Sequence, residues 1–527
     1  ALEFVHDKVQ QAAYDALEGD ERLRLHLELG RGLLRDTPPA ALDDLLFEIT
    51  GHLNLAAARI SAADERVRLA ELDLAAGRKA SRAAAFATAV HHLRQGIAAL
   101  PEGSWSARYP LTFALHCECM KCEHFAGDPE AAAARFAPLL ARARTDLDRA
   151  EVYELKVGLD TDRGDAREAL DTGLTGLALL GVRLPLRMSR LALMRELAAV
   201  RILRGRTPLR AFAELPEAHD PRIVRALKLL GSTCAAVYSI EPDLSIVYLL
   251  RALALTLRHG ATGESSVAVA FYGIVHVGLL ADGGSARTLH DAAYALADRF
   301  PDPRHRMRLA NFCGVYLRSW LDPAGDVARQ IAPVIEQALQ LGEFSEALFI
   351  AVGLLHARWL TTADVDQLLA TAREIAAIGA YNSGFVHQHW HIPFVHFCLA
   401  LRGETLAPTS LSRPDFDEAF ILANLGPHYR AFTAGYHLAK LTLLYHHGAY
   451  DEALALSERL GWARFAGTVS QVDQTTLAIL VHTARGEPLR GDLARRAGRW
   501  RDHLRRWSRL CPDNVEGRLF LAEAELA

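Results

Sequence analysis

Four short turns, each with a glycine followed closely by an acidic residue and then by alanine, interrupt an otherwise helix-periodic sequence. They lie at Gly127-Asp128, Gly164-Asp165, Gly342-Glu343 and Gly448-Ala449-Tyr450-Asp451. Glycine adopts the left-handed conformation that ends a helix, and an acidic side chain caps the next helix or interacts favourably with its first turn. The alanines that follow let paired helices approach closely. The pattern predicts helix hairpins, and it constrains the fold more than any other feature.

The spacing of these turns indicates a repeat. Gly127 and Gly164 stand 37 positions apart, close to the roughly 34 residues of a tetratricopeptide unit. Strands are not expected, because β-branched residues are scattered and no alternation of apolar and polar residues persists. We therefore predict an all-α fold, a tetratricopeptide-like α-solenoid of degenerate helix hairpins. Such hairpins are stabilised by contacts between neighbours.

Composition restricts the location and the partners. The 527 residues carry a formal net charge of −4, and no apolar run reaches the length of a bilayer span. The nearly neutral charge gives no broad electrostatic argument for nucleic-acid binding. Seven cysteines, an odd number in a long chain, favour reduced thiols over a secreted disulfide framework. We expect a cytoplasmic protein that has neither a membrane nor nucleic acid as its partner.

The beginning of the chain carries a family resemblance. The pattern F-x-H-D-x-x-Q-x-A-A-Y starts at Phe4, and R-x-x-L-H-x-x-x-G follows from Arg22 to Gly30. Together they resemble the junction after the ATPase core in large bacterial signalling proteins. Those proteins carry a serine/threonine kinase domain, a predicted ATPase of the signal-transduction (STAND) type and a long tetratricopeptide-like array, often followed by GAF and histidine kinase domains. The resemblance continues through residues 74–101 to the C-terminal RLCPDNVEGRLFLAEAELA, and it covers only the family's middle region.

The resemblance implies a domain organisation for a piece of a longer protein. It assigns residues 1–35 to the end of the helical region after an ATPase core, 40–185 to tetratricopeptide-like repeats, 186–400 to degenerate helical repeats and 401–527 to further repeats of a truncated array. Breaks are expected at residues 36–39, 181–185 and 402–415, where proline or glycine interrupts the helical pattern. None of these linkers is long, so we predict one continuous solenoid.

A cysteine cluster offers the first candidate metal site. Cys119 and Cys122 have C-x-x-C spacing, and His116 lies one helical turn earlier. A structural zinc site needs four ligands, usually from two separated knuckles, and only one knuckle is present. The alternative is that small cysteines line the buried side of a repeat helix. We favour this alternative and predict no metal.

Histidines supply two further candidates. Of His387, His389, His391 and His396, only His387 and His391 are spaced to share one ion on a helix, and no H-E-x-x-H glutamate accompanies them. Surface or groove-lining histidines are the preferred interpretation. In related STAND ATPases a histidine after the core touches the nucleotide phosphate. The resemblance allows His6 this nucleotide contact, and a structural histidine beside Asp7 is the alternative.

Catalytic motifs are missing from the sequence. It contains no G-x-x-x-x-G-K-[ST] phosphate loop, no kinase signature set and no G-x-S-x-G elbow. We therefore expect no catalysis and no cofactor in this chain, and we expect ATP and Mg²⁺ only in upstream domains.

Arginine is concentrated in two segments, Arg187 to Arg210 and Arg495 to Trp507. Either segment offers contacts for acidic partners, nucleic acid or an anionic surface. A solvated, arginine-rich helix face is the simpler interpretation of both.

These observations lead to one functional hypothesis and two alternatives. We predict a non-catalytic sensor or scaffold arm of a bacterial signal-transduction ATPase/kinase. The arm would bind a protein, a peptide or its own neighbouring domains. The first alternative is a stand-alone tetratricopeptide-like adaptor. The second is a metal-dependent enzyme built on residues 116–124 or 387–396.

Overall fold

The protein is all-α in the residues that the structure describes. The computed structural model describes residues 14–527 except 301, 362–363, 380–390, 426–429, 460–469, 485 and 487. Within these ranges, β pairing is confined to two isolated bridges, Glu217 with Ala261 and Arg413 with Phe416. The predicted fold class is confirmed at this level.

The chain divides into two compact units, residues 1–155 and 156–527. The helices of the first unit are α1 Gly19–Asp36, α2 Leu46–Leu55, α3 Ala63–Arg82, α4 Phe86–Ala99, α5 Tyr109–Phe125 and α6 Pro129–Arg142. Single helical turns lie at Pro39–Ala41, Ala57–Arg59 and Ser104–Ala107. Helix α7, Asp146–Arg163, runs from the first unit into the second.

The second unit contains the remaining helices. They are α8 Ala166–Leu179, α9 Arg190–Arg204, α10 Pro221–Ile240, α11 Pro242–His259, α12 Ser265–Val275, α13 Gly283–Ala297, α14 Pro303–Phe312, α15 Ala324–Gln340, α16 Phe344–Thr361, α17 Val365–Gly379, α18 Ile392–Leu401, α19 Glu418–Leu425, α20 Arg430–His446, α21 Tyr450–Arg459, α22 Ser470–Thr483, α23 Gly491–Ser508 and α24 Pro512–Leu526. Helices α12 and α14 each end in a π-helical turn, His276–Leu280 and Cys313–Leu317.

The glycines of the four predicted turns all adopt the left-handed conformation. Their φ angles are +86° at Gly127, +85° at Gly164, +71° at Gly342 and +71° at Gly448, and each lies between two consecutive helices. The side chain of Asp128 caps α6 by accepting a hydrogen bond of 3.1 Å from the Ala131 amide. The prediction of helix-ending glycines is therefore confirmed.

The core of the first unit depends on close approach between neighbouring helices. Ile49, Leu93 and Leu115 are fully buried in it. A Cβ atom at Gly77 would lie 2.5 Å from Leu93 Cγ, so α3 and α4 pack this tightly only with glycine at that position. Gly96 of α4 allows a similar approach, because a Cβ atom at that position would lie 2.9 Å from Leu115 Cδ2 of α5.

In the second unit, α24 packs against residues in the middle of the unit. The Asn514 side chain donates to the carbonyl oxygens of Ser319 and Asp322, at 2.7 and 2.9 Å, and accepts from the Ala324 amide at 2.9 Å. Trp507 at the end of α23 lies against Trp320, with ring centroids 5.1 Å apart. These contacts fix α23 and α24 to the unit.

One helix among the described residues, α10, is long and apolar enough to cross a membrane. Half of its apolar segment is buried inside the protein, and the helix packs against α8 and α11. Core helices of soluble proteins have the same composition, so this helix is compatible with a soluble protein.

Candidate functional site

The C-x-x-C cluster lies on α5 with its cysteines buried. Cys119 and Cys122 are fully buried, and Cys119 Sγ donates to Glu123 Oε1 at 3.5 Å. Burial raises the pKa of the Cys119 thiol to about 12 and raises the pKa of Cys122 as well. Because the thiolate is the metal ligand, the surroundings oppose the form that would bind zinc.

The polar groups around these cysteines already have partners. Glu123, which is fully buried, accepts from Arg135 at 2.5 and 2.8 Å and from Arg94 at 2.9 Å. Arg135 also donates to His116 Nδ1 at 3.3 Å, and burial followed by the Arg135 charge lowers the pKa of His116 to about 4. The cluster is an ion-pair network centred on the buried Glu123 carboxylate. In the described part of the chain, no group of three or more His, Cys, Asp or Glu residues is arranged to hold a metal ion.

The other candidate histidines are described only in part. His6, His387 and His389 lie outside the described residues. His391 precedes the first turn of α18. His396 is buried and donates from Nδ1 to the Leu411 carbonyl oxygen at 2.7 Å. Its ring centroid lies 3.8 Å from that of Phe416. His396 is therefore a core residue, and this differs from the surface or groove position predicted for the group.

Helix α9 forms from the first arginine-rich segment. Ser189 begins it, because its Oγ accepts a hydrogen bond of 3.1 Å from the Ala192 amide. Leucine, alanine, methionine and arginine, all strong helix formers, fill most of its positions. Gly205, with a φ of +55°, follows its last residue. Local sequence thus fixes both ends of the helix.

The inner face of α9 is anchored on α11 by a buried ion pair. Glu196 is 1% exposed and accepts from Arg251 at 2.8 and 2.5 Å, and Arg195 adds hydrogen bonds at 3.0 and 3.2 Å. Burial alone would raise the pKa of Glu196. The hydrogen bonds and charge of Arg251, with a smaller contribution from Arg195, outweigh burial and lower it. Glu196 therefore stays ionised and holds the helix in one orientation.

The outer face of α9 exposes large apolar side chains. Leu191 is 80% exposed, Met194 63% and Ile202 77%, and Ala198 between them is also exposed. With 3.6 residues per turn, these four residues form a stripe about 80° wide along one side of the helix. We call Leu191, Met194, Ala198 and Ile202 the α9 stripe.

Arginines flank the α9 stripe on both sides. Helical geometry places Arg190 and Arg201 along one edge and Arg195 along the other. Glu196 is the one acidic residue from position 183 to 213. Among the described residues, the pair of Arg195 with Glu196 is the one ion pair formed by an arginine between 187 and 210. The outer face therefore combines apolar surface with the positive charges of Arg190 and Arg201, which form no ion pair within the described part of the chain.

The second arginine-rich segment, α23, differs in its partners. Arg505 pairs with Glu523 at 2.6 Å, and Arg495 pairs with Asp492 at 3.5 Å. Arg496 lies over the Trp500 ring at 5.4 Å from its centroid. Acidic or aromatic neighbours thus balance these α23 arginines.

The sequence alone does not distinguish the two arginine segments as interaction surfaces. A signal that separates them lies in the helical register of α9, where apolar residues occupy both sides of the helix while arginines stand between them. In the structure, one of these apolar sides packs on α11 and the other is exposed.

Comparison with known proteins finds a distant similarity to one signalling protein. No protein-family model matches the chain. Over 458 residues, 77% of the chain, it is 20% identical to the hybrid signal transduction histidine kinase G of Dictyostelium discoideum. The chain spans 13% of that protein's length.

Proposed function

We propose that this chain is a non-catalytic sensor or scaffold arm of a signal-transduction ATPase or kinase, built as a tetratricopeptide-like array, and that α9 is one of its protein-binding surfaces. Two facts support the array: helices follow one another through the chain, and left-handed glycines separate four of the helix pairs. The similarity to a signal-transduction histidine kinase supports the setting.

The observation that carries the proposal is the exposed α9 stripe on a helix with an anchored inner face. Contiguous exposed apolar side chains rimmed by polar residues mark interaction sites on soluble proteins. The Glu196 pair with Arg251 holds the stripe in place before a partner arrives, and such preorganisation lowers the entropic cost of binding. A bound partner regulates neighbouring domains only through a difference in affinity between their two states.

The test uses the natural gene product and its ATP hydrolysis and autophosphorylation. Leu191→Asp and Ile202→Asp are expected to change the steady-state rate several-fold, because they remove apolar contact on α9 while leaving its buried side intact. Leu406→Asp is the matched control, since Leu406 is 65% exposed in the loop that follows α18. Unchanged rates in the α9 variants would contradict the role of α9. Substantial ATP hydrolysis by residues 1–527 alone would overturn the non-catalytic assignment.

The reading frame upstream of Ala1 distinguishes the regulatory arm from a stand-alone adaptor. A phosphate-loop motif encoded there supports the regulatory arm, and an immediate start codon supports the adaptor.

A further inference from the structure

We propose that the partner segment that docks on the α9 stripe is an amphipathic helix with acidic side chains beside its apolar ones. This inference rests on the proposed function, since it names the chemistry of the partner that the α9 surface binds. The shape of the α9 stripe and the charge on its edges support this inference independently.

The shape of the α9 stripe fits one helix. Leu191 to Ile202 span about 16 Å along the axis at 1.5 Å per residue. The stripe, about 80° wide, is narrower than the face of about 100° that a helix turns to a protein core, and it has the width of a coiled-coil seam. Leu191, Met194 and Ala198 follow the spacing of successive a, d and a positions. The small side chain of Ala198 lets a second helix approach closely.

The charge on the edges selects an acidic partner. In the heptad register set by Leu191, Arg190 takes a g position and Arg195 an e position, where interhelical ion pairs determine partner choice. The one acidic residue between positions 183 and 213, Glu196, is buried and already paired with Arg251 and Arg195. A helix with glutamate or aspartate at its own e and g positions is therefore attracted, and a basic helix meets like charge on both edges.

The same geometry disfavours a bilayer. A helix that lies in a membrane interface sinks a broad apolar face about 5–10 Å into the headgroup boundary. In α9, Arg201 occupies the d position of the second heptad, directly beside the stripe, and the opposite face is packed on α11. The apolar surface is therefore wide enough for one helix and too narrow for stable insertion.

The experiment titrates labelled peptides against residues 1–527 and follows fluorescence anisotropy. The probe is a three-heptad peptide with leucine at a and d and glutamate at e and g. Its glutamates repel each other across a homodimer, so it stays available for α9. We expect saturable binding that weakens as salt rises. The matching peptide with lysine at e and g should bind at least tenfold more weakly.

Variants locate the site. Arg190→Glu combined with Arg201→Glu, and separately Leu191→Ser combined with Met194→Ser, should each weaken binding of the acidic peptide at least tenfold. Arg495→Glu combined with Arg499→Glu on α23 makes the same charge change on another exposed helix and should leave binding unchanged. Circular dichroism and thermal unfolding confirm that each variant is folded.

Several results would overturn the inference. Equal binding of the two peptides, or loss of binding only in the α23 variant, removes the acidic-helix assignment. Binding to phosphatidylserine vesicles without binding to the peptide assigns the surface to a membrane, and self-association that the α9 variants abolish assigns it to a second copy. If the α9 variants still change ATP hydrolysis by the natural gene product while the acidic peptide fails to bind, the proposed function stands and this inference falls. If neither responds, both fall.

Discussion

Helices α9 and α23 are both rich in arginine, but the partners of their arginines differ. On α23, Arg505 and Arg495 pair with Glu523 and Asp492. On α9, the arginines at the edges of the stripe lie beside exposed leucine, methionine and isoleucine, and the one acidic residue faces inward. The number of arginines therefore does not define an interaction surface. Their compensation by neighbours and the apolar area beside them do.

The two helices are also held by different forces. A buried ion pair between Glu196 and Arg251 fixes α9. Aromatic contacts fix α23, because Trp507 lies against Trp320 and Trp500 stacks on His482 with ring centroids 5.7 Å apart. This difference predicts distinct responses to mutation and pH.

The largest expected effect follows from removing the buried carboxylate. Glu196→Gln should lower the free energy of unfolding by about 3 kcal/mol, because it leaves Arg251 without its charged partner in a largely buried site. Urea unfolding measures the loss, and hydrogen exchange should show α9 losing protection first. Glu523→Gln on α24, which breaks a partly exposed pair, is the control and should cost less than about 1 kcal/mol. Equal losses in the two variants would show that the anchoring of α9 does not depend on this ion pair.

Acidification should separate the two helices next. Burial lowers the pKa of His482 below its ordinary 6.5, with Arg496 adding to the shift and Glu458 opposing it. Unfolding therefore takes up a proton at His482 as pH falls below 6.5. The stability of the α23 contact declines as pH falls from 6.5 to the folded-state pKa of His482. Glu196 responds in a lower pH range, because its pKa is lowered from the ordinary 4.5. Its contribution to the free energy of unfolding is fully present above pH 4.5 and is lost as pH falls through its folded-state pKa.

Hydrogen exchange, corrected for the intrinsic pH dependence of exchange, measures both windows. Peptides from α23 should begin to lose protection as pH falls below 6.5, and peptides from α9 only below 4.5. In His482→Gln the α23 response should disappear while the α9 response stays. Simultaneous loss of protection in both helices in the unmodified protein would contradict the contrast.

Local features of the sequence predicted the fold class and the turns, and tertiary contacts decided the site. The left-handed residue that ends a helix is usually glycine, so Gly127 and Gly342 could be predicted from their neighbours alone. The raised pKa of the Cys119 thiol follows from its burial, and the adjacent Glu123 is already paired with Arg94 and Arg135 from other helices. Likewise, the exposure of Leu191 follows from the face of α9 that packs on α11, which no spacing within the segment specifies.

The smallest expected effect distinguishes the helices by its sign. Arg505→Ala removes a half-exposed ion pair with Glu523 and should destabilise the protein by no more than about 0.5 kcal/mol, an effect that high salt removes. Arg201→Ala relieves repulsion from Arg204 one turn away and should stabilise the protein by about 0.2–0.5 kcal/mol at low salt. Urea unfolding at low and high salt measures both. Because the charge removed is identical, opposite signs would show that α9 keeps its arginines at a cost to folding, as expected of a surface whose acidic counterpart lies on a partner. Changes of the same sign in both variants would contradict this difference between the two helices.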